Sequence, residues 1–156
     1  MVEAIDLLKW CQGDSSYRGS WAYYLNQQQT RWDGSTQQWP IMVMKAAKER
    51  WGISVPQWVK DNALNALSAL RHSSNGIGYS SGDGYRDTGK TGGGLLGYKW
   101  AGLGDQSTEV QGALGYIEST WLNSTTRGIE SNGRGWTGNM YGMFALKKGL
   151  DAAGVD

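Results

Sequence analysis

The sequence predicts an all-α protein made of three helical hairpins, which together contain six main helices. Hydrophobic residues recur at helical spacing in six stretches; the odd-numbered stretches are amphipathic and the even-numbered ones more uniformly apolar. A glycine-plus-aromatic turn follows each odd-numbered stretch, and the aromatic residues of these turns are 58 and 57 residues apart. These residues are Trp21, Tyr79 and Trp136. A near-constant interval of this length indicates stacked supersecondary units.

The first hairpin is predicted to cover about residues 1–52. It begins with an amphipathic outer helix over roughly residues 2–12. Its inner helix begins near the capping side chains of residues 33–36 and ends at Gly52. Pro40 then lies in the first turn, where its missing N–H costs little. Apolar residues surround most of this inner helix, which predicts burial on more than one side.

The second hairpin is predicted over about residues 53–104, with Pro56 at the start of its outer helix. One apolar stripe marks the buried face of that helix and consists of Val59, Ala63, Leu67 and Leu70. The inner helix, roughly residues 91–103, is rich in glycine, which lowers helix propensity by about 1 kcal/mol at each position. So many glycines predict a close backbone approach to a neighbouring helix or to a ligand.

The third hairpin is predicted over about residues 105–156. Ser107 or Thr108 caps its outer helix, which is amphipathic like the two before it. A polar loop separates this helix from the inner helix, which covers about residues 137–153. The three hairpins are expected to form a single repeat domain.

Composition excludes several functional classes. The formal net charge is +1, from 15 basic and 14 acidic residues without a basic stripe, so nucleic-acid binding has no electrostatic support. No apolar run reaches the roughly 20 residues that a membrane-spanning helix needs. A single cysteine and a single histidine do not predict a metal site, and no cofactor is predicted. The sequence assigns no cellular compartment.

Several segments resemble the repeat of prenyltransferases and of squalene and oxidosqualene cyclases. They are residues 4–12, 18–21, 75–79 and 87–91. Gln12 and Trp21 match the Gln and Trp of the cyclases' QW repeat. The third unit departs from the pattern, because no Gln precedes Trp136 at the corresponding distance.

The resemblance implies an alpha-alpha toroid, in which inner helices surround a lumen and outer helices cover them. A full ring in that family usually has about six hairpins, so three hairpins correspond to half a ring. A half ring exposes an apolar edge, and such edges are normally covered. We therefore expect the chain to be part of a larger toroid with further repeats, to form a homodimer, or to close on itself as a bundle.

The catalytic residues of the family are not matched. The cyclases use an Asp-x-Asp-Asp cluster, and the nearest acidic group here is Asp83 with Asp87, for which a solvated loop and a helix cap are the favoured interpretation. Protein prenyltransferases bind zinc through an Asp, a Cys and a His, but Gly89 stands where the Cys is expected. Cys11 and His72 belong to other units. Whether the chain is an enzyme is therefore left open.

The candidate ligand-binding residues are mainly aromatic side chains predicted on the inner helices. They are Trp39, Tyr98, Trp100 and Tyr141, together with the loop residues Asp83 and Asp87. In the cyclases such aromatics stabilise carbocations, and ring faces also stack on sugars and isoprenoid chains. Core packing is the alternative for each of them.

Three functions are therefore kept. The first is a non-catalytic toroid-repeat module that binds a ligand or a partner through its aromatic inner surface. The second is part of a terpenoid cyclase or prenyltransferase-like enzyme whose catalytic residues lie outside this chain. The third is a sugar-binding or sugar-active toroid. The ligands that these functions predict are an isoprenoid or a carbohydrate.

Overall fold

The computed structural model of the chain describes residues 1–24, 26–80, 85–121 and 140–155. These residues form six α-helices, which confirms the all-α class. The described part contains no β-strand, although isolated bridges pair Arg71 with Ile77 and Ile77 with Asp87. The helices are α1 (Val2–Trp10), α2 (Gln38–Trp51), α3 (Gln57–Leu70), α4 (Thr88–Ala101), α5 (Thr108–Trp121) and α6 (Met140–Ala153).

Capping residues explain where several helices begin and end. Oδ1 of Asp87 accepts a hydrogen bond of 2.8 Å from the backbone N–H of Lys90, so α4 begins at Thr88 and not near residue 91 as predicted. Gly52 ends α2 in the left-handed conformation, with φ at 66°, and Gly102 ends α4 with φ at 103°. Both helices thus stop where a residue without a Cβ permits the turn.

Helix α4 lies at the centre of the fold. Every residue of α4 except Lys99 is buried. It contacts α2, α3, α5 and α6, and its contact with α6 is the most extensive helix–helix contact among the described residues. An apolar helix without a polar face is expected in such a position.

The glycines of α4 allow α6 to approach it at backbone distance. A Cβ on Gly92 would lie 2.5 Å from Cα of Leu146, and a Cβ on Gly149 would lie 2.2 Å from the carbonyl oxygen of Gly92. Real Cβ atoms do not make such contacts, so both positions require glycine. The close approach expected from the sequence is therefore an approach to a neighbouring helix.

Two apolar clusters form the core, and α4 contributes to both. One cluster joins α1, α2 and α3 to the second half of α4, where Leu96 and Trp100 contribute. The other joins α3, α5 and α6 to Leu95 and Tyr98. Because neighbouring residues of α4 enter different clusters, α4 connects the two halves of the core.

A polar side chain just before each of the first two glycine-plus-aromatic turns contacts the start of the next odd-numbered helix. The Gln12 side chain donates from Nε2 to the carbonyl oxygen of Val59, near the start of α3, at 3.0 Å. In the second unit, Nη1 of Arg71 lies 3.5 Å from Oε1 of Glu109, near the start of α5. The third turn, with Trp136, lies outside the described residues. The three-hairpin repeat therefore stays a prediction.

Helices α2 and α6 are buried on one side only. Along α2, Ile41, Met44 and Ala47 are buried, whereas Trp39 and Val43 remain 44% and 42% exposed. The expectation that α2 is buried on more than one side is wrong. On α6, Met140, Met143 and Phe144 are exposed as well. None of the described helices is both long and apolar enough to cross a membrane.

The α4–α6 contact leads to a stability prediction. Gly92→Ala places a methyl group against the α6 backbone, so we expect the free energy of unfolding to fall by about 1–3 kcal/mol. Gly115→Ala is the matched control, because no atom of the described residues lies within 4 Å of a Cβ at this position of α5. It should stabilise the protein by up to about 1 kcal/mol. Urea unfolding of the three proteins measures both effects, and equal stabilities would contradict the contact.

Candidate functional site

A cavity of about 580 Å³ lies where the first turn, the N-terminal end of α2 and the start of α6 meet. Aromatic and apolar side chains form most of its wall. It is lined by Leu8, Cys11, Trp21, Ala22, Tyr23, Ser35, Thr36, Trp39, Pro40, Tyr79 and Tyr141. We call this space the aromatic cavity.

Trp39 and residues of α6 form an aromatic group at the cavity. The ring centroids of Trp39 and Tyr141 are 6.0 Å apart, with 51° between the ring planes. Phe144 stacks on Trp39, with a ring-centroid distance of 6.0 Å and an angle of 16° between the ring planes. Trp39 stays 44% exposed, so a ligand can reach its ring.

Hydrogen bonds to backbone carbonyls hold the polar ends of the lining aromatics. Nε1 of Trp21 donates to the carbonyl oxygen of Leu8 at 2.9 Å. The Tyr141 hydroxyl donates to the carbonyl oxygen of Ser35. These bonds use the polar atoms internally and leave the ring surfaces to form the cavity wall.

The segment that precedes α2 fixes the two glycine-plus-aromatic turns. The Gln37 side chain donates from Nε2 to the carbonyl oxygen of Trp21 at 2.9 Å. The backbone N–H of Gly34 donates to the carbonyl oxygen of Tyr79 at 2.7 Å. The aromatic residues of both turns are therefore held at the same end of α2.

The carboxylates beside the cavity have structural partners. Asp33 is fully buried; its Oδ1 accepts the Ser35 backbone N–H at 3.0 Å, and its Oδ2 accepts from Nη2 of Arg31 at 3.1 Å. Asp87 caps α4 and forms an ion pair with the buried Lys90. Because both carboxylates are engaged, their geometry indicates support of the backbone and not proton transfer.

Arg31 lies at the edge of the aromatic cavity between two tyrosine rings. Its guanidinium carbon is 5.9 Å from the ring centroid of Tyr23 and 5.6 Å from that of Tyr79. Burial and the nearby Asp33 carboxylate raise the pKa of Tyr79, and Arg31 opposes the increase. The tyrosine therefore stays neutral and acts as a ring surface.

Burial also favours the neutral forms of Tyr141 and Cys11 by raising the pKa of each group. It is the main cause of the raised pKa of Tyr141, and the charges of Asp87 and Asp33 add to it. Burial raises the pKa of the Cys11 thiol too. A thiol that remains protonated is a poor nucleophile, so the position of Cys11 in the wall does not indicate covalent chemistry.

The structure brings together some of the predicted site residues. Trp39 and Tyr141 line the aromatic cavity, and Asp87 lies close enough to influence Tyr141 electrostatically. Tyr98 and Trp100 do not line it: Tyr98 packs between α3 and α5, and the Trp100 ring lies 5.7 Å from Nζ of Lys60. Asp83 lies outside the described residues.

Sequence reasoning did not assign Tyr23 and the two turn aromatics to a site. Trp21 and Tyr79 were recognised as repeat positions only, yet both line the cavity. The available signal was the aromatic run around residues 21–24, in a chain with nine Trp and eight Tyr but a single Phe. Aromatics with polar ends suit half-exposed cavities better than dry cores.

The fold and the site define an all-α protein with an aromatic cavity and no grouping of three or more His, Cys, Asp or Glu side chains that could hold a metal, within the residues described. No protein-family model, curated protein or solved structure matches the chain.

The burial of two tyrosines predicts that the folded protein loses stability at alkaline pH. The pKa of Tyr98 is raised to about 12, chiefly by burial, and that of Tyr141 is raised for the same reason. Because the folded state binds these protons more tightly, their contribution to stability is complete below pH about 10 and is lost at higher pH. We expect the free energy of unfolding to fall from pH about 10 to 12.

Chemical denaturation at several pH values measures this loss. Tyr141→Phe should reduce the slope above pH about 10, because one buried phenol no longer ionises. Tyr85→Phe, at a 67% exposed position, should keep the wild-type slope. A slope that is the same in all three proteins would show that Tyr141 does not contribute to it.

Proposed function

We propose that this protein is a non-catalytic binding module whose aromatic cavity takes an apolar, unsaturated ligand of the isoprenoid type. One observation carries the proposal: aromatic side chains from the two turns, α2 and α6 converge on a single cavity. They are Trp21, Tyr23, Trp39, Tyr79 and Tyr141. The volume of about 580 Å³ is within the range of ligand sites, which is roughly 300–1,000 Å³.

The polar atoms of the cavity favour an apolar ligand over a carbohydrate. A sugar needs hydrogen-bond partners in addition to ring faces, because its hydroxyls lose water on binding. The polar ends of Trp21 and Tyr141 already donate to backbone carbonyls. The Thr36 hydroxyl likewise donates to the carbonyl oxygen of Trp21, at 2.5 Å. The cavity wall therefore exposes mainly ring faces and aliphatic groups, and these surfaces suit a hydrocarbon chain with double bonds.

The same surroundings favour binding over catalysis. Asp33 and Asp87 are held by hydrogen bonds and ion pairs, and the Cys11 thiol is protonated. Among the described residues around the cavity, these groups are the obvious acids and nucleophile, and each has a structural explanation. The enzyme alternative therefore requires catalytic residues other than those described around the cavity.

Removing Trp39 tests the binding proposal. We expect Trp39→Ala to weaken binding of farnesol by about tenfold, or about 1.4 kcal/mol, because it removes an exposed aromatic ring from the cavity wall. Trp58→Ala is the matched control: Trp58 is 51% exposed on α3 and does not line the cavity. Isothermal titration calorimetry with farnesol and with cellobiose measures both ligands.

The outcomes separate the alternatives. Binding of farnesol that is lost in Trp39→Ala and retained in Trp58→Ala supports the proposal. Binding of cellobiose, but not farnesol, with the same dependence on Trp39 would replace it by the sugar-binding function. If neither ligand binds, or both variants lose binding equally, the aromatic cavity is not the site.

A second proposal concerns an apolar groove between α5 and α6. Its volume is about 630 Å³. It is lined by Leu114, Ile117, Glu118, Trp121, Met143, Leu146, Lys147, Leu150 and Val155. We propose that a second copy of the chain covers this α5–α6 groove.

Charge supports self-association at the groove. Its lining includes both Glu118 and Lys147, so two copies related by a two-fold axis can place each charge opposite the other. The formal net charge of +1 gives little repulsion between copies. Within one chain, α6 already packs against the apolar surface of α4, so a helix from a second copy is a suitable cover for the apolar groove.

A charge placed in the groove tests this association. Met143→Lys should shift the protein from dimer to monomer, because two ammonium groups would enter an apolar interface. Val43→Lys, at an equally exposed position on α2, should leave the dimer unchanged. Sedimentation equilibrium gives the mass of each variant. A monomeric wild-type protein would refute a homodimer and leave the groove free for a further repeat.

A further inference from the structure

A second, more polar cleft shares no lining residue with the aromatic cavity. It runs between α3 and the start of α5, and α4 supplies its floor. Its volume is about 430 Å³. The cleft is lined by Asp61, Leu64, Asn65, Ser68, Arg71, Tyr98, Leu103 and Glu109. We call it the α3–α5 cleft.

The floor of this cleft carries a buried hydroxyl without a partner. Tyr98 is 2% exposed, and its hydroxyl makes no hydrogen bond with any of the described residues. A buried polar group left in this state costs free energy, and native structures rarely keep one without a reason. The hydroxyl therefore indicates a partner from outside the described residues, and its place on the floor of a cleft indicates a bound ligand.

The wall of the cleft supplies a second donor and an acceptor. Nη1 of Arg71 is buried and donates no hydrogen bond, although it lies 3.5 Å from Oε1 of Glu109. Both charges act on the phenol: Arg71 lowers and Glu109 raises the pKa of Tyr98, whose overall increase is due mainly to burial. All three side chains line the same cleft, which is where one bound group would meet them.

The chemistry of these groups defines the ligand. Two donors, Arg71 and Tyr98, need an acceptor oxygen, whereas the Glu109 carboxylate needs a donor. A hydroxyl group satisfies all three, because it accepts two hydrogen bonds and donates one. A carboxylate or phosphate does not, since Glu109 and Asp61 would repel it.

We propose that the α3–α5 cleft binds a neutral polyhydroxylated ligand of monosaccharide size, with one hydroxyl seated among Tyr98, Arg71 and Glu109. Leu64 and Leu103 contact its C–H faces, and the polar side chains of α3 at the rim meet its remaining hydroxyls. This site shares no residue with the aromatic cavity, so it does not depend on the function proposed above.

Glucose serves as the neutral probe and glucose 6-phosphate as the anionic one, with binding measured by saturation-transfer NMR and calorimetry. We expect glucose to bind the wild-type protein and to bind Tyr98→Phe at least tenfold more weakly. Tyr98→Phe should fold, because the hydroxyl it removes has no hydrogen-bond partner among the residues that the structure describes. Tyr24→Phe, at a 76% exposed position, should bind like wild type.

A second variant tests the charge argument without touching the core. Glu109→Gln should weaken glucose binding and strengthen glucose 6-phosphate binding, because it replaces a charged acceptor by a weaker neutral one and removes the negative charge that repels the phosphate. Trp39→Ala should leave glucose binding unchanged, which separates this cleft from sugar stacking in the aromatic cavity.

Three results would overturn the inference. The first is no binding of glucose to the wild-type protein at millimolar concentration, which would indicate that the cleft holds ordered water and no sugar. The second is equal glucose binding by Tyr98→Phe and wild type. The third is a preference of the wild-type protein for the phosphate.

Discussion

The backbone contact between α4 and α6 is the constraint on which the rest of the structure depends. It exists because Gly92 and Gly149 have no side chains to separate the two helices. With α6 in this position, Tyr141 reaches the carbonyl oxygen of Ser35 and stands beside Trp39 at the start of α2. A contact in the centre of the molecule thus determines the geometry of a cavity near its surface. Larger residues at the glycines would move one whole side of the cavity.

Polar side chains have a comparable role where the chain is irregular. Gln12 and Gln37 are nearly fully buried and donate to backbone carbonyls far away in sequence, and Asp33 holds the segment that precedes α2. The turns around Trp21 and Tyr79 therefore do not rely on hydrophobic contact alone. Such hydrogen bonds are directional, so they fix the orientation of the rings as well as their position. The aromatic cavity is formed by ordered turns and by the helices on which they pack.

Local patterns predicted the helices well but did not predict which helix faces meet. Periodicity and capping residues identified six helices, and the glycines of α4 predicted its close packing. The same uniformly apolar pattern could not show that Tyr98 and Trp100 point away from Trp39, because a helix buried all round has no preferred face in its sequence. The pairing of Trp39 with Tyr141 joins residues a hundred positions apart, and no local signal encodes such a contact. Site residues on turns were missed for a related reason. The sequence pattern identified Tyr79 only as a repeat position, whereas the hydrogen bond from the Gly34 N–H to the carbonyl oxygen of Tyr79 places this residue at the cavity.

The composition of α4 also has a consequence for the order of folding. Five of its 14 residues are glycine, so the isolated segment has a very low tendency to form a helix. Linear repeat proteins can nucleate at one unit and propagate from it. Here the central helix gains its stability from neighbours on several sides and becomes ordered only when they are present. The two halves of the chain should therefore acquire native structure together, in one cooperative transition, and a chain lacking either half should leave α4 unfolded.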